Sequence, residues 1–314
     1  MTIPYLARLI LRIANGLEGL ASERRNKHVE FLRSMQQADG GFSGRQGGSD
    51  LYYTSFALRG LAVLGALDGA IAEQAASFIR QRLKTHVPLI DLISLLFSAQ
   101  LLETTTGIDP LAESDSQWPV HLTTMFAQLR RSDGGYAKTM EGGAGSTYQT
   151  FLTVLIHQQF VQPLPDPESI GNFVRSQHRE DGGFVEIRAM RRSGTNPTAA
   201  AIGTLQVIPS WTNQNETGIQ LTESVASFLH SMQLDSGGFR ANTRIPLADL
   251  LSTYTGLQAL SDLNCLENAT TDKAKLYIGS LEQPQGGWLA AEWDDTIDVE
   301  YTFYGLAALG TVIQ

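Results

Sequence analysis

The 314-residue chain contains a single cysteine, Cys265. One cysteine excludes an internal disulfide and any cysteine-based metal cluster. It fits a reducing compartment, and a cytoplasmic location is the expectation. Positive charge is also scarce, with 23 Lys and Arg against 32 Asp and Glu, a formal net charge of −9. Nucleic acid is therefore excluded as a main partner, because phosphate backbones are bound by basic surfaces. No run of about 20 apolar residues occurs, so no transmembrane segment is expected. The start, "MTIPYLARLILRIANGL", is apolar but broken by Arg8 and Arg12. It reads as an amphipathic helix over residues 1–21 that packs on the domain, not as a signal peptide.

What the chain has is repetition. "SMQQADGGF" (34–42), "QLRRSDGGY" (128–136), "SQHREDGGF" (176–184), "SMQLDSGGF" (231–239) and "SLEQPQGGW" (280–288) share a Gly-Gly-aromatic ending. An aromatic residue stands eight or nine positions before each first glycine. The first interval is twice the others, so a sixth copy without Gly-Gly is expected around "FIRQRLKTHVPLIDLISLLFSAQLLE" (78–103). Each copy reads as a helical hairpin. First helices such as "ERRNKHVEFLRSM" carry charged faces and belong outside; second helices such as "TSFALRGLAVLGAL" are apolar and belong inside. Gly-Gly supplies the left-handed residue and close packing that a helix-ending turn needs.

Six hairpins form either an open solenoid or a ring. A solenoid needs polar end caps. The last copy runs through the apolar "GLAALGTV" to Gln314, which favours closure. The fold class expected is all-α, an (α/α)6 barrel over residues 22–314. Its parallel inner helices would surround a central cavity, their N-termini meeting at one rim. The inner-helix starts align as "DLYYTSFALRGL", "STYQTFLTVL", "GTNPTAAAIGTL", "DLLSTYTGLQAL" and "DVEYTFYGLAAL". A Thr recurs in all five (54, 150, 198, 253, 302), and Asp50, Asp249 and Asp298 open three of them. Helix capping is the plain reading of those aspartates.

This Gly-Gly-aromatic repeat in six hairpins resembles the α/α-toroid family of protein prenyltransferase β-subunits and squalene–hopene type terpene cyclases. The resemblance covers residues 22–314 and implies an isoprenoid held against aromatic side chains in a central cavity. It also implies a protein partner like a prenyltransferase α-subunit. Prenyltransferases of the family hold zinc with an Asp-x-Cys pair and a His at two inner-helix starts. Here those positions read Asp249, Leu251 and Tyr301. Leu cannot bind zinc and Tyr is an uncommon ligand, so no zinc and no thiol prenylation are expected. None of the histidines (28, 86, 121, 157, 178, 230) falls on an inner-helix start.

Tyr52, Tyr53, Phe56, Tyr148, Phe151, Tyr254 and Tyr304 are the candidate cavity lining, with core packing as the alternative. The family binds diphosphate through basic loops before the inner helices. "RAMRRSGTNP" offers Arg188, Arg191 and Arg192, and "FRANTRIP" offers Arg240 and Arg244. Arg suits phosphate oxygens through its planar fork of donors, and the alternative is an exposed basic loop. Cyclases of the family protonate an alkene with an Asp-x-Asp-Asp-Thr acid. In register, Glu300 holds the acid's position, followed by Tyr301; off register, "EWDDT" places Asp294 there. Asp294 and Asp295, with Glu292, are alternatively a Mg²⁺ site or a solvated loop. Asp249, Glu300 and Tyr301 are the candidate catalytic set. Three functions follow: an isoprenoid-diphosphate enzyme of transferase or cyclase type, a scaffold binding a lipid or protein partner, and a glycan-active enzyme using Asp249 and Glu300, which needs an open polar cleft.

Overall fold

Five of the six hairpins are set by the same turn. In the computed structural model, which describes residues 3–83, 89–112, 114, 117–160, 163–209 and 215–313, the first glycine of each Gly-Gly is left-handed, from φ +89° at Gly40 to +96° at Gly286. Only glycine adopts this without strain. Space makes the same demand. A Cβ on Gly237 would lie 2.0 Å from the Lys273 carbonyl oxygen, and one on Gly286 would lie 2.2 Å from that of Lys27. Each turn therefore rests on the backbone of the next copy's outer helix.

The recurring Thr, whose role the sequence did not disclose, locks the turn to the inner helix. In four copies its hydroxyl accepts the N–H of the aromatic residue after Gly-Gly: Phe42 onto Thr54, Tyr136 onto Thr150 and Phe184 onto Thr198 at 2.9 Å, Phe239 onto Thr253 at 3.0 Å. The same hydroxyl donates to the carbonyl four residues back, as from Thr54 to Asp50 at 2.6 Å. Both backbone groups are thereby satisfied in a buried place, where an unpaired one costs about 1–3 kcal/mol.

The helices are α1 (Tyr5–Gly16), then hairpins α2 (Ser22–Ser34) with α3 (Leu51–Val63) and α4 (Gly69–Arg82) with α5 (Leu89–Thr106). Next come α6 (Trp118–Leu129) with α7 (Thr147–Phe160) and α8 (Pro167–Ser176) with α9 (Thr195–Leu205). The last are α10 (Glu216–Met232) with α11 (Leu250–Asp262) and α12 (Asn268–Leu281) with α13 (Val299–Val312). A two-stranded ribbon, β1 (Phe239–Arg240) and β2 (Ala248–Asp249), pairs antiparallel before α11. The hairpin without Gly-Gly is α4 and α5; the part of its quoted sequence at 84–88, with His86, lies outside the described residues. Among the described residues no helix is long and apolar enough to cross a membrane.

The chain divides into two compact units, the first Met1–Arg8 with Ser116–Tyr277, the second Leu9–Asp115 with Ile278–Gln314. In unit one α9 packs between α7 and α11. The Thr147 N–H donates to the Glu186 carbonyl and the Thr195 N–H to that of Ala241, both at 2.9 Å, so the three inner helices start side by side. In unit two α3 packs between α5 and α13.

The last hairpin joins the first inside unit two, as the apolar end of the sequence suggested. Gly287 N–H donates to His28 Nδ1 (3.0 Å), His28 Nε2 donates to Glu282 (3.1 Å), and Trp288 stacks on the His28 ring at 4.0 Å. Arg24 and Lys27 also pair with Glu282. Burial lowers the pKa of His28 and keeps the ring neutral. Burial opposes the Glu282 charge, but bonds from His28, Arg24 and Lys27 outweigh it and hold the carboxyl well below its usual range.

Candidate functional site

The first turns of α3 and α13 bring together six predicted residues: Tyr52, Tyr53, Phe56, Glu300, Tyr301 and Tyr304. Asp50 caps α3 through the Tyr53 N–H (3.1 Å), and Asp298 caps α13 through the Tyr301 N–H (2.8 Å). The caps fix both starts in one register, and Tyr52 Oη donates to Glu300 Oε1 at 2.7 Å. Phe56 meets Tyr52 at 4.9 Å and Tyr304 at 5.2 Å, both edge-on, and Tyr301 meets Tyr304 at 5.8 Å. Edge-to-face rings with a half-buried rim make an apolar wall carrying a few hydroxyls.

Two arginines complete this wall, and sequence reasoning missed both. The Arg59 guanidinium lies 4.2 Å from the Phe56 ring centre and 4.7 Å from that of Phe303. Its signal was a lone cation in an otherwise apolar inner helix. Arg45 precedes α3 just as the basic loops precede α9 and α11. It donates bidentately to Asp294 (2.8 and 2.6 Å) and through Nε to Asp298 (2.6 Å).

Charge is distributed unevenly here. Burial pushes the Glu300 carboxyl up, and the Asp298 charge adds to this against the bond from Tyr52. Glu300 is therefore easier to protonate than an ordinary glutamate. Burial works against Asp294 too, but Arg45 and the Ala290 N–H outweigh it and keep it ionised. Asp294 spends its oxygens on Arg45 and Ala290, which leaves the Mg²⁺ reading only Asp295 and Glu292 with exposed carboxylates.

The remaining predicted residues lie in unit one. Asp249 caps α11, accepting from Ser252 N (2.7 Å) and Oγ (2.8 Å), and burial pushes its carboxyl up. Phe151 packs edge-on against Tyr5 at 6.0 Å, and Tyr254 is buried. Tyr148 is exposed, its N–H donating to Glu186 at 3.3 Å. Arg188, Arg191, Arg192 and Arg244 are exposed on the loops before α9 and α11. Arg192 reaches Thr243 at 3.2 Å, which brings those loops together. Arg240 turns to the Ser231 carbonyl (3.3 Å) at the end of α10.

The prenyltransferase alpha-alpha toroid domain model matches residues 1–86, 95–221 and 202–312. The chain belongs to that family. Each matched stretch spans about two hairpins, which is the repeat read from the sequence. No curated protein sequence matches the chain. Among solved structures it is similar to the Candida albicans protein geranylgeranyltransferase-I complexed with GGPP, at 17% identity, TM-score 0.66, 91% of this chain and 90% of that one. It is similar as well to a variant of the type II terpene cyclase MstE from Scytonema in complex with geranylgeranyl dihydroxybenzoate, at 13% identity, TM-score 0.59 and 98% of each chain. An α-1,6-mannanase from Salegentibacter matches at 11% identity, TM-score 0.62, 92% of this chain and 98% of that one. At these identities the likeness shows the fold alone.

The family's zinc was tested against the residues present. Leu251 supplies no donor atom and Asp249 is engaged as a helix cap, so this donor set does not fit zinc. Among the described residues no group of three or more His, Cys, Asp or Glu is placed to hold a metal ion.

Proposed function

We propose that this protein binds an isoprenoid whose apolar chain lies on the aromatic wall of α3 and α13, as a zinc-independent, transferase-like toroid. The observation that carries the reading is that wall: Tyr52, Phe56 and Tyr304 edge to face, closed by Arg59 on Phe56 and Phe303. The two isoprenoid proteins named above, of the same fold, are complexed with geranylgeranyl compounds. Separately, Arg188, Arg191, Arg192, Arg240 and Arg244 of unit one are cations suited to a diphosphate group. Calorimetric titration with farnesyl and geranylgeranyl diphosphate tests the isoprenoid reading. Micromolar binding, unchanged by Zn²⁺ and lost with Phe56→Ser, is the expected result. Absence of binding would reject the diphosphate ligand and turn the reading to a scaffold for another lipid or a protein partner.

Glu300 favours a second reading, of cyclase type. A carboxyl pushed toward its neutral form by burial, with aromatic rings beside it, is arranged to hand a proton to an alkene, and the rings stabilise the cation that follows. Glu300→Gln should then abolish any cyclised product while leaving ligand affinity nearly intact.

A further inference from the structure

Unit one presents a surface that a soluble diphosphate does not require. Three neighbouring loops, before α7, α9 and α11, raise apolar side chains into solvent beside cations. The first exposes Lys138 and Met140, the second Ile187, Arg188, Met190, Arg191 and Arg192, the third Arg244, Ile245 and Leu247. Met140 is 64% exposed, Met190 47% and Leu247 52%, values at which burial on this chain accounts for little of the side chain. The Gly-Gly turns themselves expose Asp133, Glu180, Asp181 and Asp235, whereas the stretches after them (137–146, 185–194 and 240–249) expose Lys138, Arg188, Arg191, Arg192 and Arg244 against one acid, Glu141. That is a local reversal of a formal net charge of −9.

The loops are built to hold these tips outward. Each carries a reverse turn at a similar place: Gly142 N to Thr139 O (3.1 Å), Met190 N to Ile187 O (2.9 Å), Ile245 N to Asn242 O (3.1 Å). Arginines at one repeat position brace two of them from beneath. Arg131 donates to the carbonyls of Thr139 (3.0 Å) and Met140 (2.7 Å), and Arg179 to that of Arg188 (2.9 Å). Braced apolar tips on stretches where exposed cations outnumber exposed acids suit a surface that is apolar beneath and negatively charged on top. A dissolved anion needs only the arginines.

We propose that these three loops dock on the surface of an anionic lipid bilayer, the arginines meeting headgroup phosphates and the apolar tips entering the headgroup–acyl boundary. The inference rests on the isoprenoid reading only for its purpose, since bilayers hold isoprenoids; the docking itself needs no ligand. The test is co-sedimentation of the full chain, without isoprenoid, with phosphatidylcholine vesicles that contain phosphatidylserine and with phosphatidylcholine alone. Binding to the first and not the second, weakened by salt, is expected. Arg188, Arg191 and Arg192 changed together to Ser should lower the partition about hundredfold, at about fivefold per charge. Met190→Ser with Leu247→Ser keeps every arginine and should lower it about tenfold. These side chains are exposed, so thermal unfolding should not move. No binding to anionic vesicles, or equal binding to both kinds, would overturn the proposal. Unchanged partition of the Met190 and Leu247 variant would do so too, leaving the arginines to a soluble phosphate. Each of these outcomes is independent of the calorimetric titration, so either reading can fail alone.

Discussion

The two units share one backbone plan and present opposite surfaces at the starts of their inner helices. In unit one the loops before α7, α9 and α11 expose cations and apolar tips, while Glu186 and Asp249 are turned inward. In unit two the loop before α13 exposes acids and Trp293, and its neighbour before α3 contributes Arg45, which is spent on Asp294 and Asp298. The inner helices differ likewise. Unit two offers Tyr52, Phe56, Tyr304 and Glu300, whereas the matching positions of α9 are Asn196 and Ala200. A repeat therefore fixes geometry and leaves chemistry to the few positions flanking the conserved turn and Thr. This is why the fold is shared with proteins acting on unrelated substrates.

The comparison breaks first if the turns are not equivalent. Gly237→Ala in unit one and Gly40→Ala in unit two both force a left-handed residue against a backbone carbonyl, 2.0 and 2.1 Å away. Each should cost about 3 kcal/mol or more in denaturant unfolding. A tolerated alanine at either would show that its turn is not structural. The next effect separates the units. Arg45→Ala strands Asp298, which is 2% exposed, and Asp294, and should cost about 2 kcal/mol, discounted because Arg45 is itself one-third exposed. Ile187→Ala, at the equivalent repeat position in unit one, should change stability by less than about 0.5 kcal/mol.

The closing contact of unit two predicts a pH dependence. His28 has its pKa lowered in the fold from 6.5, so its contribution is present above that value and lost as pH falls toward the folded pKa. Glu282 is also lowered, so its contribution is present above the unfolded value of about 4.5 and lost in more acidic solution. Stability should thus fall in two stages on acidification, and Glu282→Gln should remove the lower stage. Asp249 and Glu186 in unit one have raised values and act in the opposite sense, adding stability that is lost as pH rises through their folded pKa. Glu300 and Asp91 in unit two are raised as well, so a midpoint that rises on acidification from neutral would mean that the raised carboxyls of both units outweigh the junction. The smallest effect is Tyr52→Phe, about 1 kcal/mol or less in stability, with the Glu300 pKa moving further up once its hydrogen bond is gone. An NMR titration of Glu300 would report it.

Much of the architecture was legible because Gly-Gly-aromatic is a backbone requirement, and such requirements repeat in register. The hairpin lacking Gly-Gly was found by its interval alone. The unit-two wall was partly legible, since inner-helix aromatics two positions before and two after the Thr necessarily share a face. Arg59 and Arg45 escaped because their partners are distant in sequence: Phe303 for one, Asp294 and Asp298 for the other. The same rule sets Phe151 and Tyr254, one position after their Thr, apart from Phe56, two positions after its own. Their fate depends on what neighbouring helices place against them, such as Tyr5 for Phe151.

The central claim is that the aromatic wall of α3 and α13 receives an isoprenoid chain. Photo-crosslinking with a benzophenone-bearing geranylgeranyl diphosphate, followed by peptide mapping, tests it most directly. The account predicts adducts on the peptides carrying Tyr52–Phe56 and Glu300–Tyr304, competed away by unlabelled ligand and lost with Phe56→Ser. Competable adducts confined to other peptides, with none on α3 or α13, would contradict it.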